Sequence, residues 1–287
     1  MKTQKLPEFI IIGAGKCGTT SLHSYLSQHP QLYLCPKKET YFFINDTSRA
    51  QHRRWGAVET LAEYSALFQD APDDRVIGEI STTYYRYPES AARIHQLLPE
   101  VKIIAILRDP AERAFSSYQM FVQHGHETAD FATLITPDNH YVKAGFYYAE
   151  LLPFFELFPR QHIKILLYDD LCRDPQGFLQ ELWHFLGVEA FVPEMGERKR
   201  EGGLPKNKAL YQLLTQPNGL RATAATLLKL ILPVEQRQQL RSKLVKQTTQ
   251  KVKLSPEVRR RLIELYRPDI LQLQDLLERD LSAWLQP

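Results

Sequence analysis

Glu8-Phe-Ile-Ile-Ile-Gly-Ala-Gly-Lys-Cys-Gly-Thr-Thr20 is the stretch on which the reading of the whole chain turns. Its first half is an unbroken apolar run, residues 9–12, the pattern of a short strand buried on both faces. Its second half sets Gly13, Gly15 and Gly18 around Lys16 and closes on Thr19 and Thr20. Leu22, Tyr25 and Leu26 then recur at helical spacing until His29-Pro30 stops them. The order is therefore strand, glycine loop, helix. Glycines let successive amides point into one concavity, and the start of the helix adds positive potential, so a phosphate-binding loop is predicted. Lys16 brings a full charge to it, and Thr19 and Thr20 bring hydroxyl donors.

The loop departs from the Walker A pattern G-x-x-x-x-G-K-[ST]. Gly13 and Gly18 have the right spacing, but Thr19 stands where that lysine should be, and Lys16 comes three residues earlier. No magnesium-holding carboxylate follows a later strand, since the strand over 101–107 ends in Arg108. A kinase that uses the usual lysine is disfavoured.

Outward from this stretch, strands are predicted over 32–34, 75–80, 101–107 and 162–167. They alternate with helices over 61–68, 88–98, 110–123, 147–158 and 176–186, the last closed by Gly187. That alternation predicts an α/β fold with a parallel central sheet flanked by helices. Beyond about residue 190 no strand pattern remains, and helices are predicted over 210–214, 219–232, 235–245, 256–266 and 269–277. The expectation is one domain over 1–287, with an α/β core over about 1–190 and a helical C-terminal region over about 191–287.

Composition narrows the function classes. With 44% hydrophobic and 24% charged residues the chain is ordinarily globular, which excludes disorder as its main state. Its longest apolar runs fall far short of a membrane span. The opening MKTQKLPEF has no apolar leader core, and three cysteines without a CxxC pattern point to reduced thiols, so a cytoplasmic location is expected. The net charge of +3 is uneven: residues 196–267 carry 17 Lys and Arg against 5 Asp and Glu. That basic third suits anionic ligands or a solvated helical face. The segment 221–246 reads first as an amphipathic helix packed on the core and second as a peripheral membrane contact. No nucleic-acid motif accompanies the charge, so no nucleic-acid partner is expected. His124-Gly125-His126 lacks a third ligand at fitting spacing, and no metal is predicted. Tyr84, Tyr85 and Tyr87 read first as core rings and second as an aromatic platform for a sugar or an apolar chain.

Three motifs carry a resemblance. Residues 9–22 resemble the 5′-phosphosulfate loop of sulfotransferases that use 3′-phosphoadenosine 5′-phosphosulfate (PAPS). Lys38-Glu-Thr-Tyr-Phe-Phe43 resembles the K-E-x-x-F-F stretch of the glycosaminoglycan (heparan sulfate) branch. Ile106-Leu-Arg-Asp-Pro-Ala-Glu-Arg-Ala-Phe-Ser-Ser-Tyr118 resembles the 3′-phosphate motif, and Asp280-Leu-Ser-Ala-Trp284 is similar to bacterial members. The resemblance implies a PAPS-dependent sulfotransferase that moves a sulfuryl group to a hydroxyl or amine of a glycan or small molecule and releases adenosine 3′,5′-bisphosphate. It implies Glu39 as base, made more basic by burial near Tyr41, Phe42 and Phe43, and Lys16 as stabiliser of the leaving oxygen. Gly15, Lys16, Cys17, Gly18, Thr19, Thr20 and Ser21 would ring the 5′-phosphate. Arg108 and Ser116 would hold the 3′-phosphate, joined by a residue of the loosely matching run Arg198-Lys199-Arg200. Arg108 suits this independently, because it ends a parallel strand and offers a planar fork. The rival readings are a P-loop-type nucleotide kinase and a non-catalytic nucleotide-binding module.

Overall fold

The computed structural model describes residues 4–195, 204–205, 249–250 and 252–287. The helices predicted over 210–214, 219–232 and 235–245, and the basic run 198–200, lie outside the described residues. Five parallel strands form one sheet: β1 Phe9–Gly13, β2 Leu32–Leu34, β3 Val76–Ile80, β4 Lys102–Leu107 and β5 Ile163–Leu167, in the order β2-β3-β1-β4-β5. Ile10 lies opposite Glu79 on one side and Ile103 on the other. All of β1 is buried, and β4 is buried from Ile103 onward. Central strands covered on both faces need no polar alternation, which is why these two read as continuous apolar runs. Edge strand β5 is less covered: Lys164 and Ile165 are only half-buried, and Lys164 reaches Glu181.

The connecting helices are α1 Thr19–Leu26, α2 Asp46–His52, α3 Leu61–Ala66, α4 Pro88–Leu97, α5 Pro110–Gln123, α6 His140–Lys143, α7 Tyr147–Leu157, α8 Tyr168–Arg173 and α9 Pro175–Leu186. Local chemistry sets several ends. Thr60 and Glu63 form a reciprocal capping box at α3, Pro88 and Pro175 occupy first turns, and Gly187 closes α9 at φ 78°. At Gly78 the reason for glycine is contact: a side-chain carbon there would lie 2.0 Å from the Phe9 ring.

The described residues fall into two compact units. The first runs to Pro110, resumes over 144–195 and takes in 266–286; it contains the sheet. The second takes in 111–143 and the described residues of 200–265. Within the second, Tyr118 packs against Phe131 at 4.9 Å between ring centres and edge-on to Tyr141, and Arg259 reaches Glu112 at 3.9 Å. It also holds a two-residue antiparallel pair, Leu204–Pro205 with Thr249–Gln250, where no strand was predicted. Two residues are too few to carry a period.

The C-terminal helix also corrects the sequence reading. Instead of breaking near Pro268 it runs from Pro256 to Leu277. Leu262, Tyr266, Ile270 and Leu273 stay buried on one stripe across the proline, and their burial outweighs the roughly 3 kcal/mol that an internal proline costs. Asp269, next to that proline, uses both carboxylate oxygens to accept the Tyr148 amide at 3.2 Å. The first turn of α7, which has no side-chain cap of its own, is thus capped from another helix. Burial pushes the Asp269 carboxyl up from 3.8 to about 6, while the amides of Tyr148, Ala149 and Tyr147 pull it down.

A raised folded value means that the stabilising increment is present below the unfolded value and is lost as pH climbs through about 6. Relative to Asp269→Asn, the wild type should lose up to about 3 kcal/mol between pH 4 and pH 7. Denaturant melts of both proteins across that range check this; a difference independent of pH refutes it.

Candidate active site

β1 delivers the chain into the glycine loop at the C-terminal edge of the sheet, beside the point where successive strands switch from one side of β1 to the other. Lys16 at φ 75° and Gly18 at φ 88° turn the backbone through the left-handed region, which bends successive amides toward one side. Gly18 then starts α1: its carbonyl accepts the Leu22 amide at 3.0 Å, and no side chain caps the helix. A side-chain carbon at Gly18 would strike the Tyr168 ring at 2.8 Å. Gly15 and Lys16 are half-buried, as are Thr20 and Ser21 in the first turn of α1, while Cys17 and Thr19 are buried.

Glu39 stands in the segment after β2. Its amide donates to the Ile80 carbonyl at 3.1 Å, which pins it to the end of β3. Its carboxylate accepts the Thr82 amide at 3.0 Å, the Thr82 hydroxyl at 2.6 Å and the Thr83 hydroxyl at 3.3 Å. A side-chain carbon on Gly15 would lie 3.8 Å from that same Thr82 hydroxyl. Thr82 is therefore the shared neighbour of the loop and of the carboxylate.

The apolar surroundings expected for Glu39 take a different form. Phe42 stacks on Tyr64 at 4.3 Å, and Phe43 meets Tyr64 and Tyr84 edge-on, so these rings build the core beneath the segment. Tyr41 does stand beside Glu39: burial, then the Glu39 charge, push its phenol up to about 12. Tyr84 and Tyr85 are core rings, and Tyr87 is half-buried.

Arg108 follows the last residue of β4. Its carbonyl accepts the Tyr147 hydroxyl at 2.9 Å, and that hydroxyl also lies 3.8 Å from the buried Cys17 thiol in the loop. Its guanidinium sits over the Tyr168 ring at 5.1 Å, the ring that covers Gly18. Tyr168 opens α8, and the next residue, Asp169, accepts the Trp284 indole N–H at 3.1 Å. The first unit thus brings Lys16, Glu39 and Arg108 around one glycine loop. Ser116 lies on α5 in the second unit, half-buried. Arg198, Lys199 and Arg200 lie outside the described residues.

Thr82, Thr83, Tyr147 and Tyr168 escaped the sequence reading. One signal for the threonines was available: hydroxyl residues directly after a parallel strand stand where such sheets bind ligands. Among the described residues no group of His, Cys, Asp and Glu is arranged to hold a metal ion, and no helix is long and apolar enough to cross a membrane.

The model of the sulfotransferase family matches residues 7–193. Among curated proteins, the membrane-associated sulfotransferase kil1 of Dictyostelium discoideum is 35% identical over 118 residues, 41% of this chain and 24% of that protein. Human bifunctional heparan sulfate N-deacetylase/N-sulfotransferase 2 is 28% identical over 203 residues, 66% of this chain and 23% of that protein. The chain spans about a quarter of the length of these two relatives. A sulfotransferase from Alicyclobacillus acidocaldarius matches at a TM-score of 0.73 and 27% identity, covering 98% of this chain and 100% of that one. Since the family match takes in the glycine loop, Glu39 and Arg108, and extends over well over half of the sequence, the chain belongs to the sulfotransferase family.

Proposed function

We propose that this protein transfers a sulfuryl group from PAPS to a hydroxyl or amine of an acceptor, with adenosine 3′,5′-bisphosphate as the other product. The observation that carries the reading is the sharing of Thr82 between Gly15 of the glycine loop and the Glu39 carboxylate. An anion cradle and a proton acceptor then meet at one place, as in-line transfer requires. The loop suits a phosphate on its own evidence: left-handed turns at Lys16 and Gly18, a lysine within it, and a helix start with no side-chain cap.

In this scheme Glu39 takes the proton of the acceptor as its oxygen or nitrogen attacks sulfur. The bond from sulfur to the bridging phosphate oxygen breaks, and Lys16 stabilises the charge that gathers there. Gly15, Cys17, Gly18, Thr19, Thr20 and Ser21 surround the 5′-phosphate with amides and hydroxyls. Arg108 takes the 3′-phosphate with its planar fork, aided by Ser116 and one of Arg198, Lys199 and Arg200. A glycan acceptor is favoured by the K-E-x-x-F-F match and by the heparan sulfate named in relatives. A cytosol-like compartment is supported by the three free thiols. The kinase reading finds no support in the family match, and Thr19 stands where its lysine belongs.

Glu39→Gln should cut turnover by about a hundredfold or more and leave the bisphosphate Kd within about threefold, since a base acts on the acceptor rather than on the nucleotide. Lys16→Ala should lose turnover by about a hundredfold or more. Transfer from radiolabelled PAPS to a panel of glycans and small hydroxyl compounds, with calorimetric binding of the bisphosphate, reads both. Turnover preserved in Glu39→Gln removes it as base.

Arg108→Ala should weaken adenosine 3′,5′-bisphosphate about tenfold to a hundredfold while barely changing adenosine 5′-monophosphate. Titration of both nucleotides into both proteins checks this. Equal weakening of the two rejects the 3′-phosphate role.

A further inference from the structure

A second carboxylate lies under the site, and the scheme above does not use it. Glu79, near the end of β3, is fully buried. Four hydroxyls surround it: Thr40 and Ser81 donate to one carboxylate oxygen at 2.6 Å each, Tyr64 donates to the other, and Tyr84, 2.8 Å from the first oxygen and 2.6 Å from the Thr40 hydroxyl, shares its single proton between the two. No lysine, arginine or histidine is among its partners in the described residues. Burial drives the carboxyl above its usual 4.5, and the hydroxyls pull it back, Ser81 and Thr40 foremost. Hydroxyl donors on both oxygens suit the ionised form, which accepts and does not donate.

Two of the four donors matter for position. Thr40 is the neighbour of Glu39, and Ser81 is the neighbour of Thr82, which holds the Glu39 carboxylate. The Thr40 amide donates in turn to the Ser81 hydroxyl at 3.1 Å, so the single Ser81 proton is left to point at Glu79. Thr40 also sits between two non-glycine residues in the left-handed region, Glu39 at φ 56° and Tyr41 at φ 58°. Side-chain-bearing residues do not keep such angles unless their surroundings hold them. The surroundings hold Thr40 at three points: its carbonyl accepts the Val58 amide at 2.9 Å, its amide goes to Ser81, and its hydroxyl donates to Glu79 while lying 2.6 Å from the Tyr84 hydroxyl and accepting the Phe42 amide at 3.4 Å.

We propose that Glu79 is a positioning residue for the transfer reaction: by gripping Thr40 and Ser81 together it keeps the strained turn at Glu39 closed and aims the Glu39 carboxylate at the glycine loop. This rests on the reading of Glu39 as base. Glu79 touches neither donor nor acceptor, and its effect reaches the reaction only through Glu39.

The test is a coupled pair of variants. Glu79→Gln replaces one acceptor oxygen with a donor, so at least one hydroxyl loses its partner. Thr40→Val removes the gripped hydroxyl. Each should lower kcat by about tenfold to a hundredfold, with the bisphosphate Kd and the PAPS KM within about twofold of wild type. Because both break one link, the double variant should be no worse than the poorer single. Unchanged kcat in a folded Glu79→Gln overturns the proposal. So do losses that multiply in the double variant, or nucleotide affinity that falls in step with kcat, which would mark a general structural role. If Glu79→Gln does not fold, Thr40→Val with Ser81→Ala carries the same cycle. Wild type measured alongside separates the two failures: a wild type that neither binds the bisphosphate nor transfers sulfuryl removes the functional reading. The crystal structure of Thr40→Val then decides the placement alone, since Glu39 should have left hydrogen-bond distance of Thr82, and Glu39 still bound there overturns the claim.

Discussion

A carboxylate that accepts a proton and a loop that gathers phosphate oxygens have to face the same reacting atom, yet the first repels what the second binds. Two like unit charges about 4 Å apart near a protein surface oppose each other by about 4 kcal/mol. Such a carboxylate turns away unless it is held. Here the holding groups are the amide and hydroxyl of Thr82 and the hydroxyl of Thr83. Sheet order makes this possible. β1 and β3 are neighbours, the Ser81 amide donates to the Ile11 carbonyl at 3.0 Å, and so the turn after β3 comes out beside the loop after β1. The pairing of two strands fixes the separation of two chemical groups.

The opposite side of the loop is braced from further along the chain. Tyr147 opens α7 and binds the Arg108 carbonyl, and α7 itself is capped by Asp269 of the C-terminal helix. Tyr168 carries the Arg108 guanidinium on its face, and its neighbour Asp169 is tied to Trp284 near the end of the chain. Arg279 adds an ion pair to Asp170 in the same short helix. Within the first unit, then, residues 266–286 supply no group to the proposed chemistry but fix the two aromatic residues against which Arg108 rests. The DLSAW motif at 280–284 therefore has a physical explanation: its tryptophan anchors the helix whose first residue is Tyr168.

How much of this was readable in advance follows from what periodicity reports. It reports burial, so β1 and β4, buried on both faces, stood out, and the glycine loop between strand and helix announced its own turn. The helix α2 has no buried residue and hence no apolar stripe to read. The unbroken helix through Pro268 was missed because the local rule against proline is correct and tertiary burial overrode it. The partners of Glu39 lay deeper still. Glu39 and Thr82 are 43 positions apart, and only the order of strands in the sheet makes them neighbours. The sequence could point to the carboxylate through its motif, but it could not say that the hydroxyls of Thr82 and Thr83 would hold it.

Holding the carboxylate by hydroxyls has a consequence for the chemistry. A carboxylate can be fixed in place by a cation, but a neighbouring cation stabilises the charged form and so makes the group a poorer proton acceptor. Apolar rings do the reverse, and they leave the group without directional contacts. Hydroxyl and amide dipoles orient the oxygens along defined lone-pair directions without bringing a full opposing charge. Both carboxylates beneath this loop are held in that way, Glu39 by residues 82 and 83, and Glu79 by Thr40, Ser81, Tyr64 and Tyr84. Lys16 and Arg108, the cations of the site, stand instead in the loop and at the end of β4, where the proposed chemistry needs positive charge. The arrangement follows from which strand ends carry hydroxyls and which carry bases, and it sets groups of opposite charge on one sheet edge.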